Sequence, residues 1–219
     1  MSTPRSAPVG RPRDRSIDDA VLTATLEILN EQGYAAMTFE GVARRAGTSR
    51  PAIYRRWPGR PALALAAIAS RLSVPAPPDT GCTLCDFGEA FNVFLAAYRT
   101  IRPDVLSALY VDCAGDEELR CSYLDTVVEP ARRAVAETVD RAINRGDLLR
   151  DTDRELLLDL FGALIHYRAQ FGREHLSDEE AYAAIETLLR GVAADFTGLV
   201  AHSEALDAAR FAHLTGRSS

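Results

Sequence analysis

The sequence predicts an all-α protein with two helical domains, a smaller one over residues 16–73 and a larger helical bundle over residues 74–219. Along most of the chain, apolar residues recur every three or four positions, which is the period of one helix face. Segments with this period begin near serine, threonine or proline and end near glycine, as helices do. No segment alternates strictly between apolar and polar residues, so the sequence gives no sign of a β-strand.

The N-terminal part begins with a segment that lacks a helical period. Residues 1–15 are rich in proline, arginine and serine, a composition that predicts a flexible basic arm. A first helix follows from Ile17 and ends at Gly33, because glycine readily adopts the left-handed turn after a helix. The apolar residues of this helix share one face, which is therefore expected to pack on the rest of the domain.

Two short helices are predicted next. The Thr38 hydroxyl can cap a helix over residues 39–46, and Thr48 or Ser49 can cap a third helix over residues 50–57. Two short helices joined by a glycine-containing turn, with a longer helix in support, have the spacing of a helix-turn-helix motif. The smaller domain is therefore predicted to be built around such a motif.

A fourth helix, over residues 61–73, completes the smaller domain. The proline-rich stretch 74–81 is the best linker candidate, because its prolines prevent the helix from continuing. Beyond it, the pattern indicates helices only. The first three cover residues 84–101, 103–115 and 116–146. Pro130 lies inside the third of these helices, so a kink is expected there.

Two further helices have recognisable starts. Thr152 with Glu155, and Ser177 with Glu180, both match the capping box in which two side chains satisfy each other's backbone amides. Leucine-rich stripes follow both starts, as expected for helices that bury one face. A last helix is predicted over residues 203–214.

Composition narrows the class of protein. Apolar residues make up 47% of the 219 residues and charged residues 26%, which is ordinary for a globular protein. No apolar run approaches the roughly 20 residues of a membrane-spanning helix, and the N-terminus lacks the apolar core of a secretory signal. We therefore expect a cytoplasmic protein with no membrane partner.

Charge is distributed unevenly along the chain. Residues 1–60 carry 10 arginines against 6 acidic residues, whereas residues 61–219 carry 15 arginines against 25 acidic residues. A basic N-terminal part on an acidic body is typical of a protein that binds nucleic acid, because arginine contacts to phosphates release counterions. A basic face that is merely solvated is the alternative, and charge alone does not decide between them.

The stretch "TFEGVARRAGTSRPAIYRRWPGRPAL" resembles the helix-turn-helix of the tetracycline-repressor (TetR) family of bacterial transcription regulators. The matching features are "EQGYAAMT", then "VARRAG", and then Ser49, Ile53, Tyr54, Trp57 and Arg60 in order. The match covers about the first quarter of the chain, and the rest shares the helix count and layout of the family's regulatory domain. "RRWPGRP" departs from the usual polar and lysine-containing run.

The resemblance implies a DNA-binding transcription regulator, most often a repressor, that acts as a homodimer on a palindromic double-stranded operator and responds to a small-molecule effector. A dimer is also expected on physical grounds, because one short helix reads few base pairs, whereas two helices related by a twofold axis read a palindrome.

Within the predicted recognition helix, Arg50 is the best-placed donor for a guanine, and Ala52 is small enough to meet a thymine methyl group. The hydroxyls of Thr48, Ser49 and Tyr54 suit phosphate oxygens. Two further candidates are assigned to phosphate: Thr38, which resembles a phosphate contact of the family, and Arg60. Arg55 and Arg56 could read bases or bind the DNA backbone.

Ile53 and Trp57 are interpreted as core. The arm arginines Arg5, Arg11 and Arg13 could enter a minor groove or form a disordered tail.

The larger domain is expected to hold a mostly apolar ligand between its helices, because pockets lined by aromatic residues are usual small-molecule sites. Core packing would explain the same residues equally well. The ligand candidates are Phe94, Tyr98, Tyr110, Tyr123, Phe161 and Tyr167, with His166 as a polar anchor.

The two helices with leucine-rich stripes, which start near Thr152 and Ser177, resemble the dimer interface of the family. The interface candidates are Leu157, Leu160, Leu164, Ile185, Leu188, Leu189, Val192 and Phe196.

Four cysteines allow a rival reading, a regulator that responds to thiol chemistry or to a metal. Cys82 and Cys85 form a C-x-x-C pair, but Cys113 and Cys121 are too far apart in sequence for the usual double-knuckle zinc site, so no metal is expected. Disulfides are not expected in a cytoplasmic chain.

No catalytic or cofactor motif is present, so neither an enzyme nor a cofactor is expected, although His166 and Asp159 could in principle form an acid–base pair.

Overall fold

The structure, a computed structural model, describes residues 15–171 and 177–215. The predicted arm over residues 1–15 lies outside the described part, except for Arg15, which begins the first helix. The N-terminal helices are α1 (Arg15–Gln32), α2 (Phe39–Arg45), α3 (Arg50–Tyr54) and α4 (Arg60–Ala69), with a 3-10 turn at Tyr34–Ala36. The remaining helices are α5 (Thr83–Thr100), α6 (Pro103–Cys113), α7 (Glu117–Tyr123), α8 (Glu129–Arg145), α9 (Arg154–Phe171), α10 (Asp178–Val192) and α11 (Phe196–Thr215).

The all-α prediction is confirmed. The only β-type pairing within the described residues is an isolated bridge between Leu148 and Ala193. None of the helices in that part of the chain is long and apolar enough to cross a membrane.

Local sequence signals explain the helix-turn-helix. Thr38 caps α2, since its Oγ1 accepts a hydrogen bond of 3.1 Å from the backbone N–H of Gly41, as predicted. Gly47 has a φ of 64°, a left-handed conformation that favours glycine in the turn between α2 and α3. The helix α3 is shorter than the predicted span 50–57, because the chain turns after Tyr54 before it reaches Pro58.

The long helix predicted over residues 116–146 is interrupted rather than merely kinked. The helices α7 and α8 are joined by a π-helical turn at Leu124–Val128. Pro130 stands in the first turn of α8, where its missing N–H breaks the regular i to i−4 ladder of hydrogen bonds. The wider turn before it absorbs this defect.

One of the two predicted capping boxes is confirmed and the other is wrong. Ser177 and Glu180 cap α10 reciprocally. At α9, Asp153 takes the capping role, with its Oδ1 accepting from the N–H of Leu156 at 3.0 Å, so the helix begins one residue later than expected. Glu155 is not available for a box, because its carboxylate pairs with Arg132 and Arg154.

The last helix is longer than predicted. Instead of starting near residue 203, α11 starts at Phe196, where the Asp195 Oδ1 accepts a hydrogen bond of 3.0 Å from the N–H of Gly198. This acidic residue supplies a start signal that the sequence prediction overlooked.

Two clusters of buried side chains hold the fold together, and they do not coincide with the predicted domains. One lies within the larger domain, between α5, α8, α9 and α10. The other begins in the N-terminal helices and continues into α6 and α7, where Val105 and Leu109 are fully buried with Leu63 and Ile68 of α4. The N-terminal helices therefore share a core with α6, and a displacement of α6 would disturb both.

A buried polar network fixes the end of the linker. Asp86 in the first turn of α5 is fully buried, and its Oδ1 accepts from both the N–H and the hydroxyl of Thr80 at 2.6 and 2.7 Å. Arg145 of α8 lies 3.4 Å from the other carboxylate oxygen. Because a buried carboxylate needs partners, this network ties the linker to the bundle at Thr80.

Candidate nucleic-acid interface and ligand cavity

The short helix α3 presents polar side chains on the surface of the N-terminal domain. Ser49, Arg50 and Arg55 are exposed, whereas Thr48 and Ala52 are half-buried. The Ser49 hydroxyl does not cap α3. Arg50 stands in the first turn of the helix, the part that reaches base edges when a recognition helix enters a major groove.

The aromatic residues of this region support α3. Tyr54 stacks on Phe39 of α2 with ring centroids 4.2 Å apart, but 47% of the residue is exposed. Its ring thus contributes to packing while its hydroxyl end can reach a partner. Ile53 is fully buried and Trp57 is half-buried against the same core, in agreement with their interpretation as core residues.

Arg56 has a structural role in this arrangement. Its guanidinium forms an ion pair with Asp18 of α1, and its Nη1 donates to the backbone oxygen of Ala52 at 3.0 Å. These contacts tie the end of α3 to the supporting helix. These contacts are made within the protein, and they differ from the two roles that the sequence suggested for Arg56, which are base reading and phosphate binding.

Arg60 points toward the larger domain. Its guanidinium lies over the ring of Tyr34 at 4.7 Å from the centroid and 3.9 Å from the carboxylate of Asp112 in α6. The Tyr34 hydroxyl donates to the same carboxylate at 2.5 Å. Burial and this hydrogen bond raise the pKa of Tyr34, so the hydroxyl remains a donor. The cluster joins the two domains, a role different from the phosphate contact assigned to Arg60 from sequence.

The larger domain contains a cavity of about 600 Å³ between α5, α6, α8, α9 and the π-helical turn. Five of the seven predicted ligand residues line it, namely Phe94, Tyr98, Tyr110, Tyr123 and His166. The cavity opens to the surface beside Val111 and Phe171, which are both 74% exposed. Its size and aromatic lining suit a small organic molecule.

The other two predicted ligand residues lie elsewhere. Phe161 is fully buried in the core between Phe87 and Phe91, with ring centroids 5.3 Å away in each case. Tyr167 is 62% exposed and packs against Phe171 on the outer face of α9. Sequence could not separate these residues from the lining, because both faces of α9 carry aromatic side chains.

Polar groups in the cavity are few and largely paired. The Tyr98 hydroxyl is 2.8 Å from Nδ1 of His166, and Gln170 Nε2 donates to the Ser107 hydroxyl. Burial raises the pKa of both Tyr98 and Tyr123, so their phenol groups stay protonated. Ser107 and Gln170 were not predicted, since no sequence signal connects two residues so far apart in the chain.

The charged lining residue Arg132 is neutralised by its neighbours. Its guanidinium is 2.5 Å from Asp159 and 2.7 Å from Glu155. Asp159 is therefore engaged in an ion pair and not in the acid–base pair with His166 that the sequence allowed. A ligand that entered this cavity would meet phenols, an imidazole and amide groups rather than an unpaired cation.

An uncovered apolar stripe runs along α9. The exposed residues Leu156, Leu160, Tyr167 and Phe171 lie four or seven positions apart on one face, and Tyr182 of α10 is 44% exposed. Of the eight interface candidates, Leu157, Ile185 and Leu189 are instead buried in the core of the same chain. Leu164, Leu188, Val192 and Phe196 are half-buried against that core. Helical period alone does not tell an inward face from an outward one.

The four cysteines do not converge on one site. Cys82 and Cys85 are joined by a disulfide, which corrects the expectation that no disulfide would form. Cys113 is buried at the end of α6, and Cys121 is exposed on α7. Within the described residues, no group of three or more histidine, cysteine or acidic side chains is arranged to hold a metal.

Comparison with protein families gives two matches that together span most of the chain. Residues 21–74 match the model described as "Bacterial regulatory proteins, tetR family". Residues 77–188 match the model described as "Tetracyclin repressor-like, C-terminal domain". The first match contains α2 and α3, and the second contains the cavity.

Individual proteins are similar over most of their length. The uncharacterized HTH-type transcriptional regulator YdeS of Bacillus subtilis is 30% identical over 84% of this chain and 94% of its own. The HTH-type transcriptional regulator AqdR of Rhodococcus erythropolis is 30% identical over 79% of this chain and 84% of its own. The crystal structure of the TetR family transcription regulator SCO0332 superposes with a TM-score of 0.59 at 29% identity, covering 81% of this chain and 98% of that one.

Proposed function

Because the chain belongs to the tetR family of bacterial regulatory proteins and is a DNA-binding transcription regulator, we propose that it is a homodimeric repressor released from its operator by an uncharged, largely apolar small molecule. The main support for this proposal is the position of α6. Ser107 and Tyr110 of α6 line the cavity, while Asp112 of the same helix contacts Tyr34 and Arg60 of the N-terminal domain. A ligand that displaces α6 would therefore move the DNA-binding helices as well.

On the DNA side, we propose that α3 enters the major groove. Arg50 reads a guanine, Ala52 meets a thymine methyl group, and Arg55 contacts a base or a phosphate. The hydroxyls of Thr38, Thr48, Ser49 and Tyr54 bind phosphates. Arg56 and Arg60 are assigned to holding the domain in place, because their guanidinium groups already have acidic partners.

Selection of binding sites from a random DNA pool tests this function directly. The full chain, at about 150 mM salt to suppress non-specific phosphate binding, is expected to enrich a palindrome. Half-sites should lie about one helical turn apart, since the two α3 helices of a dimer must reach successive major grooves. Failure to enrich any sequence, with both the oxidised and the reduced protein folded, would contradict the proposal.

For the dimer, we propose that the stripe on α9 packs against a second copy, together with Tyr182 of α10. Apolar side chains as exposed as Phe171 and Tyr167 form a continuous face, and such faces mark association sites. Phe171 also lines the cavity, so the partner would close the cavity mouth.

Leu160→Asp is expected to weaken the dimer by roughly ten- to a hundredfold, because each copy would place a carboxylate without a partner in an apolar interface. Analytical ultracentrifugation over a protein concentration series measures this dissociation constant. Leu149→Asp serves as the control, since Leu149 is equally exposed at 44% but lies outside α9. Equal weakening by both variants would argue against this interface.

The effector is expected to be uncharged because Arg132 is already paired with two carboxylates. Its aromatic or aliphatic body would contact Phe94 and Tyr123, and a hydroxyl or carbonyl group would pair with Tyr98 or His166. A thermal-shift screen should find compounds of this class that raise Tm, since a ligand that binds only the folded state stabilises it.

Gly162→Leu should abolish that increase in Tm. A Cβ at Gly162 would lie 3.6 Å from the Phe94 ring, so a leucine side chain would occupy part of the cavity. Operator binding should persist while its release by the compound is lost. Gly88→Leu makes the same substitution in α5 where a Cβ meets open space, and should leave the response intact. A normal response in Gly162→Leu would show that the compound binds elsewhere.

We propose that the protein acts in the cytoplasm, where its operator lies, and that it is not an enzyme. The pairings of His166 with Tyr98 and of Asp159 with Arg132 favour a binding site over a catalytic one.

A further inference from the structure

The C-x-x-C pair at the start of α5 plays no part in the DNA-binding function proposed above. Cys82 is the N-cap of this 18-residue helix and Cys85 lies in its first turn. The two Cα atoms are 5.2 Å apart, within the range that a disulfide spans without backbone movement. The pair can therefore exist as a dithiol or as a disulfide on the same backbone.

The two sulfur atoms have different surroundings. Cys82 is 1% exposed, and its Sγ accepts a hydrogen bond of 3.3 Å from the backbone N–H of Cys85. Cys85 is half-buried, and its Sγ lies 3.6 Å from the Ser203 hydroxyl of α11. Solvent therefore reaches Cys85 more readily than Cys82, and an oxidant should attack Cys85 first.

The helix terminus favours the reactive form of both thiols. The first turn of a helix carries unpaired N–H groups and a partial positive charge, which stabilise a thiolate. The nearby negative charge of Asp86 is offset by its hydrogen bonds from Thr80 and by Arg145. The other two cysteines stand apart, on α6 and α7, and do not compete for this pairing.

We propose that Cys82 and Cys85 form a reversible redox site that a hydroperoxide oxidises. The Cys85 thiolate attacks the peroxide oxygen, the O–O bond breaks, and a Cys85 sulfenic acid forms with release of water or an alcohol. The Cys82 thiolate then attacks the Cys85 sulfur and displaces hydroxide, which leaves as water after protonation. The two thiols lose two electrons, and the peroxide gains them. A dithiol reductant returns the pair to the reduced form by exchange.

This site is independent of the effector cavity and adds a second input to the protein. Oxidation links Cys82, the last residue before α5, to the first turn of that helix. The same turn holds the linker through Thr80 and Asp86. The redox state thus acts at the junction between the linker and the larger domain.

The test uses the full chain with Cys121→Ser, which removes the exposed thiol. The protein is reduced, desalted, treated with hydrogen peroxide, and then alkylated with a maleimide in denaturant for intact-mass measurement. We expect the number of maleimide adducts to fall from three to one, since only Cys113 stays free, and to return to three after dithiothreitol. The proposal fails if all three thiols persist, if the native protein resists dithiothreitol, or if Cys85 is overoxidised without forming the disulfide.

Two single substitutions separate the roles of the cysteines. Cys82→Ser keeps a good N-cap and should accumulate a sulfenic acid on Cys85, trapped as a dimedone adduct, because the second thiol is missing. Cys85→Ser should slow peroxide consumption by about tenfold or more, because the accessible thiolate is gone. Equal rates for the two variants, both with a native circular dichroism spectrum, would contradict the order of attack.

Discussion

Arg50→Ala should abolish most of the preference for the selected palindrome. A bidentate arginine–guanine contact contributes about 1–3 kcal/mol of discrimination, and a dimer makes it twice, so specific affinity should fall by at least roughly 30-fold. Affinity for random DNA should fall only slightly, because the contact that each subunit loses is to a base and not to a phosphate. Fluorescence anisotropy with palindromic and scrambled duplexes at equal salt concentration measures both quantities.

Arg44→Ala is the matched control for this experiment. Arg44 is also exposed, but it lies near the end of α2 rather than in the first turn of α3. Its removal takes one positive charge from each subunit of the dimer, so it should weaken binding to both duplexes alike and flatten the dependence of affinity on salt. If Arg50→Ala behaved in the same way, Arg50 would be a phosphate contact and the guanine assignment would be wrong.

Phe161→Ala should destabilise the folded state by about 3–5 kcal/mol, the usual cost of truncating a fully buried phenylalanine. The Phe161 ring touches Phe87 and Phe91 within the core, and its removal would leave a cavity between α5 and α9. Chemical denaturation at fixed protein concentration gives the free energy of unfolding. The concentration must be fixed because dimerisation contributes to apparent stability.

Two comparisons make the result for Phe161 decisive. Phe161→Leu keeps most of the volume and should cost less than about 1.5 kcal/mol. Leu149→Ala removes a half-exposed side chain and should change stability by less than about 0.5 kcal/mol. If Phe161→Ala left stability unchanged but abolished effector binding, the ring would belong to the ligand site as the sequence first suggested.

The helices could be predicted well from the sequence because their starts are local. Thr38 and Ser177 cap helices through atoms only three residues away, so the information is contained in a few neighbouring positions. The π-helical turn before Pro130 was predicted only as a kink. The proline marks the break, but the geometry that accommodates it depends on how α7 and α8 pack on their neighbours.

The candidate sites were predicted in part. Aromatic residues of the cavity were found because helical period and ring size are visible in the sequence, yet Phe161 and Tyr167 were grouped with them. The ion pairs of Arg56 and Arg60 were missed for a related reason. Their partners, Asp18 and Asp112, lie tens of residues away, and only the folded chain brings them together.

The sequence by itself determined the helical fold, the position of the helix-turn-helix and the family resemblance, because each depends on residues close together in the chain. The tertiary structure alone decided which apolar face of α9 is core and which is exposed, and it decided the ion pairs of Arg56, Arg60 and Arg132. It also decided that α6 contacts both the cavity and the N-terminal domain. The physical reason is that burial and charge pairing depend on distance in space, which local periodicity does not encode.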